Sequence, residues 1–193
     1  MQLRYPLCLV VFVLGLLCLL PAAHADSWLP PKPSVTYESA AGDARFTVTT
    51  SGRTNSLVGC RGTLLVKNDD SQWHQLWDKP LQNPLAPVRA VVADGGWRVI
   101  TFDNYYSVGY GDEVIVFYNE TGDLIKKYSL EDLLSKEELD RIPRSVSSRW
   151  WRSQVRLDEP LGVVTVDVVQ SSADKRSLKS ISFDLGNGRV LSP

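Results

Sequence analysis

The hydrophobic pattern along the chain is that of short strands. Apolar or alternating runs fall at residues 35–38, 45–50, 63–67, 73–77, 88–92, 97–102, 114–118 and 124–128, with further runs at 152–157, 162–170, 181–184 and 188–191. Between them lie Ala41-Gly42-Asp43, Asn68-Asp69-Asp70-Ser71, Asp94-Gly95-Gly96 and Asn119-Glu120-Thr121-Gly122-Asp123. Gly, Asn and Asp tolerate left-handed backbone or cap a turn, so each cluster predicts a reversal of direction. The expectation is an all-β antiparallel meander.

The meander repeats. A shift of 51 residues places Thr63-Leu64-Leu65-Val66-Lys67-Asn68 on Val114-Ile115-Val116-Phe117-Tyr118-Asn119, Trp73 on Leu124, and Trp77 on Tyr128. A shift of 53 places Gly42-Asp43-Ala44-Arg45-Phe46 on Gly95-Gly96-Trp97-Arg98-Val99. Each unit has two strands on a short turn, a longer loop, and two more strands on a short turn. The stretch from Ile181 to Leu191 repeats the last hairpin a third time. Four-stranded units of this length have the period of propeller blades, and about three of them fall short of a closed ring, which usually needs at least about four. The predicted architecture is an incomplete propeller-like stack or a sandwich, compact and monomeric.

One helical insert is predicted near 130–141. Ser129 ahead of Leu130-Glu131-Asp132, and Ser135 three residues before Glu138, have the spacing of N-terminal caps, and Pro143 stops further helix. Two short helical turns, 130–134 and 136–141, would place Leu130, Leu133, Leu134 and Leu139 on the sheet.

Before the first strand the pattern changes. Arg4, the uncharged run 7–20, and small residues at Ala23 and Ala25 make up the three parts of a cleavable secretory signal over residues 1–25. The run is short of the ~20 residues that a membrane-spanning helix needs. Residues 26–33 are Pro-rich and read as an extended leader, with a single β domain over 34–193. The expected setting is periplasmic or secreted. Loss of the signal removes one basic residue, Arg4, from a chain of formal net charge −1, and no basic block remains to hold nucleic acid through its phosphates. It also removes Cys8 and Cys18, leaving Cys60 with no partner for a disulfide; Cys60 reads as a small buried hydrophobe in preference to a reactive thiol.

Little machinery for catalysis is visible. His74 would be the one histidine of the processed chain, beside Leu76 on one strand face with Trp73, Gln75 and Trp77 on the other. One His and one Cys make a zinc site implausible, no strained Gly-x-Ser-x-Gly turn accompanies a Ser-His-Asp set, and no Gly-rich loop leads into a helix to cradle phosphate. No cofactor or metal is expected. Paired carboxylates drawn from Asp103, Asp112, Glu113 and Asp167 remain open to a hydrolase, since glycoside hydrolysis needs just two well-placed ones.

The most unusual segment is the loop Asp103-Asn104-Tyr105-Tyr106-Ser107-Val108-Gly109-Tyr110-Gly111-Asp112-Glu113, between the second and third strands of unit two. Its counterpart in unit one is 51–62. Tyrosine offers large contact area at low entropy cost, so Asp103, Asn104, Tyr105, Tyr106, Tyr110 and Asp112 are candidate binding residues. The alternative is that the glycines shape the loop and the tyrosines pack inward. Trp150 and Trp151 follow in Ser148-Arg149-Trp150-Trp151-Arg152; adjacent residues of an extended segment point to opposite sides, so one indole is expected at a surface or interface.

The runs Ala93-Asp94-Gly95-Gly96, Thr101-Phe102-Asp103-Asn104, Ser107-Val108-Gly109-Tyr110-Gly111-Asp112, Tyr128-Ser129-Leu130-Glu131-Asp132 and Ser145-Val146-Ser147-Ser148-Arg149-Trp150-Trp151 resemble uncharacterised exported proteins of Gram-negative bacteria. The resemblance covers about residues 61 to 152. It implies a periplasmic or secreted setting and no activity. The leading functional expectation is a non-enzymatic exported domain that binds a protein, peptide or glycan through the Tyr-rich loop and the Trp pair. The rival is a carboxylate-dependent hydrolase of an envelope polymer.

Overall fold

The computed structural model describes residues 28–50, 59–172 and 175–192. The predicted signal and most of the 51–62 loop lie outside them. Within the described residues the chain runs β1 (Ser34–Glu38), β2 (Ala44–Thr50), β3 (Cys60–Lys67), β4 (Trp73–Pro80), β5 (Pro87–Val92), a 3-10 turn (Asp94–Gly96), β6 (Val99–Asn104), β7 (Ile115–Tyr118), β8 (Leu124–Tyr128), α1 (Lys136–Asp140), β9 (Arg152–Asp158), β10 (Val163–Ser172), β11 (Lys175–Asp184) and β12 (Val190–Ser192). They form three antiparallel four-stranded sheets, each in sequence order: β1–β4, β5–β8 and β9–β12. The expected all-β chain of three blade-like units is the observed one, and no barrel closes among the described residues. No described helix is long and apolar enough to cross a membrane.

The repeat is visible in the pairing. Leu64 opposes Trp77 in the first sheet, and 51 residues on Ile115 opposes Tyr128 in the second. Two apolar layers hold the three sheets in a stack. Phe46, Leu64, Val66 and Trp77 of the first sheet meet Ala90, Val99, Val116 and Tyr118 of the second. Ile100, Phe102, Ile115 and Phe117, on the other face of the second sheet, meet Val164, Val166, Ile181 and Phe183 of the third. Side chains alternate between faces along a strand, so every residue of β6 and β7 is buried. Strands covered on both faces lose polar alternation, which accounts for the unbroken apolar runs there.

The two end faces of the stack are polar. On the first sheet Thr36 bonds Thr47 at 2.9 Å, Glu38 pairs with Arg45, and Asp78 accepts from Arg61 and Thr63. On the third, Thr165 bonds Ser182 at 3.0 Å and Asp167 accepts from Arg156 and Ser180. A repeat array needs such faces on its terminal units to stay in water.

At one end the short turns lock the sheets together. The Gly95 amide donates to Asp43 Oδ1 at 3.0 Å, the Ala41 amide donates to Asp94 Oδ1 at 2.8 Å, and the Asp94 amide donates to Glu159 at 2.8 Å. The Gly95 amide, with the Ser39 hydroxyl, holds the carboxyl of Asp43 below the usual titration range. Gly122, at φ 80°, brings the β7–β8 turn so close to Trp77 that a Cβ there would lie 2.6 Å from the indole.

Two local expectations change. Residues 130–134 form a turn, capped by Ser129 and Asp132, in place of a helical segment, while the Ser135–Glu138 capping box opens α1 and Asp140 is its last residue. Leu130, Leu133, Leu134 and Leu139 still pack on the second core layer. A bulge inserts Leu76 between the pairs Leu65–Gln75 and Leu64–Trp77, so Trp77 leaves the face of Trp73 and Gln75 and turns into the core.

Candidate functional site

The described longer connections, 81–86, 105–114 and 129–151, lie at the end opposite the short turns. Cys60, which opens β3 after the first loop, bonds through its Sγ to Leu85 O at 3.2 Å and accepts the Leu81 amide at 3.0 Å. Tyr105, which opens the second loop, donates its amide to Ala86 O at 3.0 Å. Cys60 and Tyr105 therefore abut the same connection, residues 81–86, and Trp28 of the leader reaches Tyr105 directly. Burial pushes the Cys60 thiol up to about 12, so at neutral pH it is a packed, protonated group.

Asp103 is the anchor of the Tyr-rich loop. It is fully buried at a left-handed φ of 59°, a conformation that Asp tolerates better than most residues. Its Oδ1 accepts from the Gly109 amide at 2.9 Å and from Trp151 Nε1 at 2.7 Å, and its Oδ2 accepts from Arg152 Nη2 at 3.1 Å. One carboxylate thus ties the loop's own turn to the strand that begins the third sheet. Gly109 has to be small: a Cβ there would lie 2.8 Å from that of Arg149 and 3.1 Å from the Trp151 ring. The Arg149 amide donates to Val108 O at 2.8 Å, and its guanidinium covers the Tyr110 ring at 4.4 Å.

Asn104 is also buried, and its Oδ1 accepts from Asn83 Nδ2 at 3.0 Å. Asn83, 1% exposed, is a hub that nothing in the strand pattern marks. It accepts from Thr101 at 2.8 Å and reaches Glu113 O at 3.4 Å, linking both ends of the loop to residues 81–86.

Above these anchors the loop presents aromatic rings. Tyr106 is 40% exposed and Trp150 48% exposed. Trp28 joins them: its ring stacks on Trp150 at 6.4 Å and 12°, and stands edge-on to Tyr105 at 5.2 Å and to Tyr106 at 6.1 Å. Offset and edge contacts of this kind are the favoured arrangements of aromatic pairs. Of the eight residues singled out from the sequence, Asp103, Asn104 and Trp151 are buried beneath the loop, Tyr105 and Tyr110 are half-buried, and Tyr106, Asp112 and Trp150 reach solvent. Trp28 was not among them. A lone indole in a Pro-rich leader was the available signal.

The carboxylates do not converge. Asp103 faces Arg152, Glu113 pairs with Lys127 at 2.6 Å, and Asp167 lies on the outer face of the third sheet against Arg156. Among the described residues every displaced carboxyl titration is displaced downward, as at Asp167 beside the Arg156 guanidinium. A glycosidase acid needs the opposite shift. His74 is exposed on β4, and no group of three or more metal-ligating side chains is found among the described residues.

No protein-family model matches the chain, and no curated protein matches it. Among solved structures, the crystal structure of puromycin hydrolase is similar at a TM-score of 0.38 and 15% identity, over 80% of this chain and 21% of that one. The chain therefore spans about a fifth of the length of that structure. An overlap this shallow carries no activity across.

Proposed function

We propose that this protein is an exported binding domain that takes a protein, peptide or glycan partner on the aromatic surface of Tyr106 and Trp150, flanked by Trp28 and Tyr105. The observation that carries the reading is the pairing of exposed rings with a buried support. Tyr106 and Trp150 lie open on a backbone held from below by Asp103, Asn83 and Asn104. Rings held this way lose little entropy on binding, and exposed Tyr and Trp are the side chains most often found at binding hot spots. The apolar run 7–20 followed by Ala23 and Ala25 supports export, as does the resemblance to exported Gram-negative proteins.

The test is capture of partners from an envelope extract by the wild type and by the Tyr106→Ala and Trp150→Ala variants. Loss of a hot-spot ring should weaken capture roughly 30-fold, corresponding to about 2 kcal/mol. Both positions are surface ones, so stability should stay within about 0.5 kcal/mol of wild type. Equal recovery of every partner by all three proteins contradicts the reading.

A further inference from the structure

Beside the aromatic rings lies an excess of positive charge. Arg89 of β5 is the cross-strand neighbour of Phe102, and the Arg152 guanidinium of β9 stands 5.3 Å from the centre of the same ring. Two cations thus neighbour one buried phenylalanine. Tyr105 joins this corner to the aromatic cluster: its amide donates to Ala86 O at 3.0 Å, three residues before Arg89, and its ring stands edge-on to Tyr106 at 5.7 Å. Arg89 reaches solvent, yet crowding by protein atoms and the nearby charge of Arg152 hold its titration below the usual range.

Charge and hydrogen bonding are both incomplete here. Asp103 neutralises Arg152, but no carboxylate among the described residues lies within ion-pair distance of Arg89. One buried donor here, Arg152 Nε, has no acceptor among the described residues. Buried N–H groups without a partner are rare, and one surplus positive charge beside a spare donor suits an oxygen-rich anion.

We infer that Arg89 and Arg152 form an anion-binding pair at the edge of the aromatic surface, so that the ligand carries a single carboxylate or phosphate next to an aromatic or apolar group. The inference rests on the binding reading above and names the chemistry of its ligand. One uncompensated charge suits one acidic group; a polyanion would be disfavoured by a chain of formal net charge −1.

The probes are N-acetyl-L-tryptophan and its amide, which differ in the carboxylate alone, titrated by calorimetry. The acid should bind at least tenfold more tightly than the amide. Arg89→Gln should abolish that preference while leaving affinity for the amide unchanged. Removal of a cation beside Arg152 should also leave the melting temperature no lower than in the wild type. Phenyl phosphate separates the two sources: displacement of the acid at lower concentration than phenylacetate identifies phosphate as the preferred group, and the reverse order identifies carboxylate. Equal affinity for acid and amide, binding of neither, or an Arg89→Gln variant that keeps the preference overturns the pair. Trp150→Ala reports on the other reading: if it binds the acid as tightly as wild type, the aromatic surface fails while the anion pair stands.

Discussion

Asp103→Ala is expected to destabilise the protein by about 3–5 kcal/mol, the cost of breaking a buried ion pair from one side. The side chain is fully buried and accepts from three donors on two segments. Without it Arg152, whose side chain is 13% exposed, keeps its charge and loses its counterion, while the Gly109 amide and the Trp151 indole lose their acceptor. Asp103→Asn keeps an oxygen for those two and loses the charge, so it should cost less, about 1–3 kcal/mol. Denaturant unfolding of the two variants measures both. An Asp103→Ala loss below about 1 kcal/mol, the size of one ordinary hydrogen bond, would show that the carboxylate is not the anchor.

Trp151→Ala should cost a similar amount, about 3–5 kcal/mol, by emptying a large core site. The ring is fully buried among Val108, Leu134, Ile142 and Val168 in the layer between the second and third sheets. Trp151→Phe retains most of the volume but not the N–H, and should recover more than half of the loss. Because the indole donates to Asp103, the two sites are coupled. The double variant Asp103→Ala with Trp151→Ala should fall short of the sum of the singles by about 0.5–3 kcal/mol. Strict additivity would mean that the 2.7 Å bond between them contributes nothing.

Much of this architecture could be read from residue order. Each of the twelve strands overlaps a predicted run, and all but β11, which begins six residues early at Lys175, match it to within a few residues, because local alternation and Gly/Asn/Asp turns decide hairpins. The unbroken runs Val99-Ile100-Thr101-Phe102 and Val114 to Tyr118 already carried the information that the second sheet is covered on both faces. The bulge at Leu76 was not legible: one extra residue in a strand leaves no mark on composition, yet it moves Trp77 from one face to the other. The site divides along the same line. That one of two adjacent tryptophans would be exposed follows from chain geometry, and the structure puts Trp150 outside and Trp151 inside. That Asp103 turns inward, that Asn83 connects both loop ends, and that Trp28 comes back over Tyr105 all depend on contacts far apart in sequence. No local pattern encodes those. Arg89 belongs with them, since only the fold brings Arg152 of another sheet to Phe102, its cross-strand neighbour.

Amide hydrogen exchange at Gly109 tests the account most directly, since everything proposed for the outer rings requires a loop fixed from beneath. That N–H is buried and donates to Asp103 Oδ1 at 2.9 Å. It should exchange as slowly as the strand amides of β6 and β7, through opening of the whole domain. Exchange at the rate of an exposed loop, with β6 and β7 still protected, would mean that the loop moves independently of the sheets and that its rings form no fixed surface.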